Sequence, residues 1–355
     1  MNPGRLIRSL MLVAALCSLV IAACAVSAAA ETVEPIASLG AGGGAFRCVF
    51  SPNGETLALA CMDGTIRVFD TGTWGLMWET RLHDAQPANC VAFSPDGRSI
   101  AACVKGEKAV LFLDPRTGRE TRSLMIPGNW EWPSGNSGSG FRMWEFAFSP
   151  NGRTLACADG FEGGVILVDV STGRFLAAPI THLSGMGEIY VVFSPDGRLL
   201  ASAGSDDRII VWDMENDEEV AALRTVGIGD LDSIAFSPDG RLLAAGGEGS
   251  TAVLVWDTAT WGETRLSANS KGAAGAVTFS PDGRFLVCGY KDLRIWSLET
   301  LDLISTSAVC PKGATWLRFS PDSSLIILSE NIARIGAQPS PSVEVWLTSA
   351  LLGEE

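Results

Sequence analysis

The side chains in this sequence with chemistry to offer are two histidines, nine cysteines and one segment crowded with tryptophan. General acid–base or nucleophilic catalysis needs an imidazole or carboxylate set beside an activated hydroxyl or thiol. Neither His83 nor His182 falls in such a motif: the chain has no Gly-x-Ser-x-Gly elbow, no His-Glu-x-x-His and no phosphate-binding loop. Carboxylates converging from distant parts of the chain keep an enzyme open as an alternative. The cysteines are scattered instead of paired at metal-ligand spacings. Cys48, Cys61, Cys90, Cys103, Cys157 and Cys288 lie in apolar, strand-like runs, where a free thiol acts as a small hydrophobe. No metal and no cofactor is expected.

Two further groups stand out. Asp206, Asp207, Asp213, Glu215, Asp217, Glu218 and Glu219 are rich in the hard oxygen that calcium prefers. They lack the Asp-x-Asp-x-Asp-Gly spacing and divide between two turns flanking an apolar strand, so a solvated surface is expected. The segment MIPGNWEWPSGNSGSGFRMW, residues 125–144, combines Gly-Ser flexibility with Trp130, Trp132, Phe141 and Trp144. A loop this long in a compact domain is functional or disordered, and tryptophan is enriched at binding hot spots. Trp130, Trp132 and Phe141 are the candidate partner-binding residues. Trp144 is expected to begin the next strand.

The elements that must position these groups follow from internal repetition. One pentapeptide occurs seven times, as FSPNG or FSPDG at Phe50, Phe93, Phe148, Phe193, Phe236 and Phe279 and as FSPDS at Phe319. Successive copies are 43, 55, 45, 43, 43 and 40 residues apart. The long step is an insertion, and it contains the tryptophan segment. Each unit reads as four short β-branched or aliphatic strands separated by Gly, Pro, Asp and Asn. The fourth is typical: IYVVF, the turn SPDGR, LLASA, SDD, IIVWD and EEVAAL.

This pattern resembles the WD-repeat family, whose third strand ends in Trp-Asp. Trp212-Asp213 and Trp256-Asp257 match fully; Phe69-Asp70, Leu113-Asp114, Val168-Asp169, Trp296-Ser297 and Trp346-Leu347 keep part of the motif. The resemblance spans about residues 32–347. It implies an all-β, seven-bladed β-propeller of four-stranded antiparallel blades, and a protein-binding or assembly scaffold. Propeller enzymes of the lactonase or hydrolase kind and carbohydrate-binding propellers are the alternatives. The family's His, Ser, Asp, Trp tetrad falls here on His182, Ser202, Asp206 and Trp212. Because the last unit has no room for a fourth strand after Trp346, the segment 32–39 is expected to complete that blade from the N-terminus. In such folds the segments holding residues 125–144 and 329–342 open on one face of the ring.

The first thirty residues read as an export signal: Arg5 and Arg8, an apolar run from Leu10 to Ala23, then small residues. Domain boundaries are therefore 1–30 for the signal and 31–355 for the propeller. Cleavage near Ala30 competes with a lipoprotein route, since Ile21-Ala22-Ala23-Cys24 resembles the lipobox of bacterial lipoproteins and would leave Cys24 acylated. The expected location is periplasmic or extracellular, with membrane attachment only through Cys24. Beyond residue 30, 24 basic side chains face 40 acidic ones, a balance of −16. No basic stripe is present, so nucleic acid is excluded as a partner; protein partners are expected.

Overall fold

The computed structural model describes residues 34–352 apart from 42–43, 85, 105–106, 108, 126–142, 161–162, 183–188, 248, 268–273, 290–291, 308–315 and 330–341. The described strands form seven four-stranded antiparallel sheets. Blade 1 (β2–β5) spans Ala45–Arg81, blade 2 (β6–β9) Ala88–Met125, blade 3 (β10–β13) Met143–Thr181 and blade 4 (β14–β17) Tyr190–Arg224. Blade 5 (β18–β21) spans Leu231–Ser267, blade 6 (β22–β25) Ala276–Ser307 and blade 7 (β26–β28) Trp316–Leu347. In each of the first six blades the strands pair in chain order from the inner strand outward.

Burial follows from stacking sheet on sheet. The second strands β3 (Thr56–Cys61) and β7 (Ile100–Val104) are buried along nearly their whole length, since a neighbouring blade covers each face. That is why LLASA and its equivalents are continuous apolar runs and do not alternate. Fourth strands meet solvent, and β5 (Leu76–Arg81) has no fully buried residue. They still tie blades together at the rim: Trp78 Nε1 donates to Pro115 O in the next blade at 2.8 Å, and Arg122 Nη1 to Val170 O at 2.7 Å.

The recurring Ser-Pro-Asp-Gly turn has a physical reason in every blade. The serine hydroxyl donates to the Asp or Asn two residues on, at 2.5–2.8 Å, from Ser51–Asn53 round to Ser320–Asp322. It also accepts the backbone N–H that opens the second strand, as from Thr56 at 2.9 Å. The glycine, at positive φ, lies under the proline of the preceding blade in blades 1 to 5, whereas Gly283 of blade 6 has no such neighbour. A methyl group added to Gly197 would come within 3.2 Å of Pro150, and one on Gly54 within 3.4 Å of Pro321, so the belt closes from the last blade onto the first. In blade 7 Ser323 holds the same conformation, φ 64°, and its hydroxyl accepts the Asp282 N–H at 3.0 Å. The Asp of Trp-Asp caps the next turn: Asp169 accepts from Thr172 N–H at 2.8 Å and Asp257 from Thr260 N–H at 2.9 Å.

Blade 7 takes its outer strand from the start of the chain. Strand β1 (Ala37–Gly40) pairs antiparallel with β28 (Ser342–Leu347), Leu39 opposite Val343. Ile36 N–H extends the ladder to Val345 O at 2.8 Å. The strand lies slightly later than the expected 32–39, because its register is set by burying Leu39, 4% exposed. After β28 the chain turns into a short helix, α1 (Thr348–Leu352), whose Leu351 carbonyl accepts from Ser305 Oγ of blade 6 at 3.2 Å.

Two outcomes follow. Deleting residues 34–40 removes the ladder and the Leu39 contact and is expected to lower the melting temperature by about 5–10 °C; an unchanged melt would disprove closure by this strand. Asp96, Asp169, Asp196 and Asp322 are held below the usual carboxylate range by the N–H and hydroxyl groups from which they accept, Asp169 down to about 2. Carboxylates with lowered folded pKa stabilise fully above the unfolded value and lose that stabilisation as pH falls through the folded one. Denaturation midpoints are therefore expected to stay level above about pH 5 and drop steeply between about pH 4 and 2.

Candidate functional site

Two constellations of polar groups lie within the ring, buried apart from the half-buried Arg318 of the second. The first joins blades 3 and 4. His182 follows β13 (Phe175–Thr181), anchored by its N–H to Gly163 O at 2.6 Å. Its Nδ1 lies 2.9 Å from Asp206 Oδ1 and its Nε2 2.8 Å from Ser202 Oγ. With the proton on Nδ1, the imidazole donates to the carboxylate and accepts the hydroxyl proton. Gly204 lies against the ring: a methyl group there would fall 2.6 Å from Nδ1. Backbone conformation does not require this glycine; the imidazole occupies the space.

This connectivity is that of a nucleophilic Ser-His-Asp relay. Its placement is not. Ser202 sits in the middle of β15 (Leu199–Gly204), 0% exposed, paired to Val191 and Ile210 on either side. No acyl carbon can reach its hydroxyl, so the three groups act as a polar tie between the loop and the blade.

Trp212 does not complete the expected tetrad. It sits opposite Leu200, two residues along β16 (Arg208–Asp213) from the Ile210–Ser202 pair, and its indole N–H donates to Asp217 at 3.2 Å in the exposed turn that follows. The remaining acidic residues divide as expected, with Asp206 and Asp207 before β16 and Asp213, Glu215 and Asp217 at its other end. Among the described residues no three His, Cys, Asp or Glu side chains are placed to hold a metal.

The second constellation lines the axis. Arg47, Glu145, Tyr190 and Trp316 all stand three residues before their blade's turn phenylalanine, and Arg318 stands one before. They meet from blades 1, 3, 4 and 7. The guanidinium carbons of Arg47 and Arg318 lie 4.2 and 3.9 Å from the Trp316 ring centre, and Arg47 reaches to 5.7 Å from Tyr190. Arg318 pairs with Glu145 at 3.8 Å, while Glu145 also accepts the Val191 N–H at 3.1 Å. Desolvation among these groups, with Arg47 nearby, pulls the Arg318 guanidinium down to about 10, although the side chain keeps 29% exposure. Trp316 Nε1 donates to Cys48 O at 2.9 Å, fastening blade 7 to blade 1. A bulge just before this position in blades 1, 2, 3 and 5 helps turn such side chains to the axis. No sequence motif marks these residues. The available signal was charged or aromatic residues at a position where Cys90 and Ala276 stand in other copies.

Trp130, Trp132 and Phe141 lie outside the described residues, as does Cys24. The strand ends that flank them are defined. Residues 126–142 join Met125, the end of β9 (Glu120–Met125), to β10 (Met143–Phe148), which contains Trp144. Residues 330–341 join β27 (Leu325–Ser329) to β28. In both blades these ends coincide with the turns between second and third strands, as Met143 opposite Asp159 and Ser329 opposite Val343 show. Met125 is 64% exposed at that end.

Seven four-stranded sheets in a ring, with Ser-Pro-Asp-Gly turns and Asp-capped third strands, define a WD-type propeller. The family profile described as WD domain, G-beta repeat, matches residues 34–70, 77–110, 177–213, 225–257 and 264–297, and the chain belongs to this family. The first three strands of blade 3 and strands β26–β28 of blade 7, which adjoin the two long segments, fall outside these matches. The chain is 31% identical over 170 residues to the WD repeat-containing protein SL1-17 of Schistosoma mansoni, covering 46% of this chain and 48% of that protein. It is 30% identical over 155 residues to the WD repeat-containing protein VIP3 of Arabidopsis thaliana, 42% of this chain and 46% of that one. With the Periodic tryptophan protein 2 homolog of Dictyostelium discoideum it shares 25% over 174 residues, 48% of this chain and 17% of the other. The chain thus spans less than half the length of these relatives.

The two roles assigned in blade 4 separate by mutation. His182→Ala removes two buried hydrogen bonds and is expected to cost about 2–4 kcal/mol in urea denaturation, whereas Trp212→Phe, losing one exposed bond, should cost under about 1.5 kcal/mol. Equal costs would show that Trp212 belongs to the buried tie.

Proposed function

We propose that this protein is an exported, non-enzymatic scaffold that binds protein partners on the end of the ring from which residues 126–142 and 330–341 leave. The observation that carries this reading is the burial of the groups with catalytic chemistry. The His182–Ser202–Asp206 set has no exposed hydroxyl, and the axial arginines and carboxylate are engaged across four blades. What the ring offers instead is a stiff surface, and propellers of this family are recognition platforms. The tryptophan segment adds the aromatic side chains that dominate protein interfaces.

Export rests on the sequence of residues 1–30, with Arg5 and Arg8 ahead of the apolar run. We place the protein in the cell envelope, either released after cleavage near Ala30 or anchored through an acylated Cys24. Among the described residues no helix is long and apolar enough to cross a membrane.

The test is photo-crosslinking in intact cells with a reactive residue at position 130 or 132, and at Glu218 on the outer strand of blade 4 as a control. A protein adduct specific to the first two sites is expected. The purified partner should then lose at least about tenfold in affinity for the Trp130→Ala, Trp132→Ala double variant. Binding to a glycan array that vanishes in the same double variant would replace this reading with a carbohydrate-binding one.

A further inference from the structure

The described thiols are all buried and unpaired, yet they are not equivalent. Cys90, in β6 (Ala88–Phe93), stands opposite Cys103, in β7, as the first pair of the regular antiparallel ladder that follows the bulge between Ala88 and Cys90. Directly opposed residues of such a pair have Cα atoms about 4.5–5.5 Å apart and side chains on one face. A disulfide needs Cα atoms about 4.4–6.8 Å apart. No other described cysteine has this relation: Cys48 faces Leu59, Cys61 faces Ala45, Cys157 faces Phe146 and Ile166, and Cys288 faces Val277 and Arg294. Cys157 does approach Cys103 across the interface of blades 2 and 3, within one apolar cluster, and is the natural competitor.

We infer that Cys90 and Cys103 form a cross-strand disulfide when the chain folds in contact with a disulfide oxidant. The step is thiol–disulfide exchange with a small-molecule disulfide such as oxidised glutathione. One cysteine thiolate attacks the reagent, forming a mixed disulfide and expelling a thiolate. The second cysteine thiolate attacks the protein-bound sulfur and expels the other. Two electrons pass to the reagent, the protons of the two cysteines end on the two released thiols, and one S–S bond is made for one broken. Burial raises both the barrier and the order of events: Cys90 is 1% exposed and Cys103 0%. The low-dielectric interior, with Cys103 alongside, holds the Cys90 thiol well above its ordinary range. Exchange therefore belongs to the folding chain, and the folded reduced protein resists it. The pairing geometry is independent of export; export decides only whether the pair meets an oxidant.

The reduced, denatured full chain is refolded in a reduced/oxidised glutathione buffer, its free thiols are alkylated in denaturant, and tryptic peptides are analysed by mass spectrometry. Cleavage after Arg98 separates the two cysteines, so a bond between them appears as two joined peptides. The expected result is that joined species, with Cys48, Cys61, Cys157 and Cys288 alkylated. The oxidised protein should also melt several degrees above the reduced one, and Cys90→Ala should melt identically in both buffers. Complete alkylation of Cys90 and Cys103 after oxidative refolding, or a bond from Cys103 to Cys157, would overturn the inference.

Discussion

A closed ring of sheets is only as strong as its last joint. Six blades build their four strands from consecutive sequence, but the seventh has three strands, β26–β28, from its own segment and takes its outer strand from Ala37–Gly40. That exchange converts a row of separate sheets into a single cooperative object, because opening the ring then requires breaking a backbone ladder and not merely side-chain packing. The Pro–Gly contact from Pro321 to Gly54 and the bond from Trp316 to Cys48 O close the same seam at other points. Belt, axis and rim thus meet where the ends of the chain meet.

Most of the polar chemistry of this protein is spent on its own architecture. The turn aspartates and serines satisfy the backbone of hairpins, His182 ties a connecting loop to blade 4, and the axial cluster joins blades 1, 3, 4 and 7. Each arrangement borrows the geometry of a functional site. The Ser-His-Asp linkage differs from a catalytic one only in depth, since the strand bearing Ser202 is covered on both faces.

Much of the fold could be read from the sequence because the determinants are local. A Ser-Pro-Asp-Gly turn closes within six residues, and its seven copies report seven hairpins whatever else the chain does. The Asp of Trp-Asp is likewise satisfied within three residues, which is why Asp70, Asp114, Asp169, Asp213 and Asp257 behave alike. The expected tetrad was legible in part. His182, Ser202 and Asp206 come together, whereas Trp212 was assigned by its place beside Asp213, and the direction an indole takes depends on an acceptor supplied by the following turn. Trp130, Trp132, Phe141 and Cys24 lie outside the described residues, so their standing rests on sequence.

The sequence alone determined the number of blades, the four-strand plan they share and the need for the two ends to share a sheet, since periodicity and turn chemistry are properties of short stretches. Only the tertiary structure decided which residues meet across the ring. Arg47, Glu145, Tyr190, Trp316 and Arg318 span 271 positions of chain between the first and last of them. They become neighbours because seven inner strands converge on one axis. Whether Ser202 is a nucleophile or a buried tie was decided in the same way, by what the adjacent blades cover.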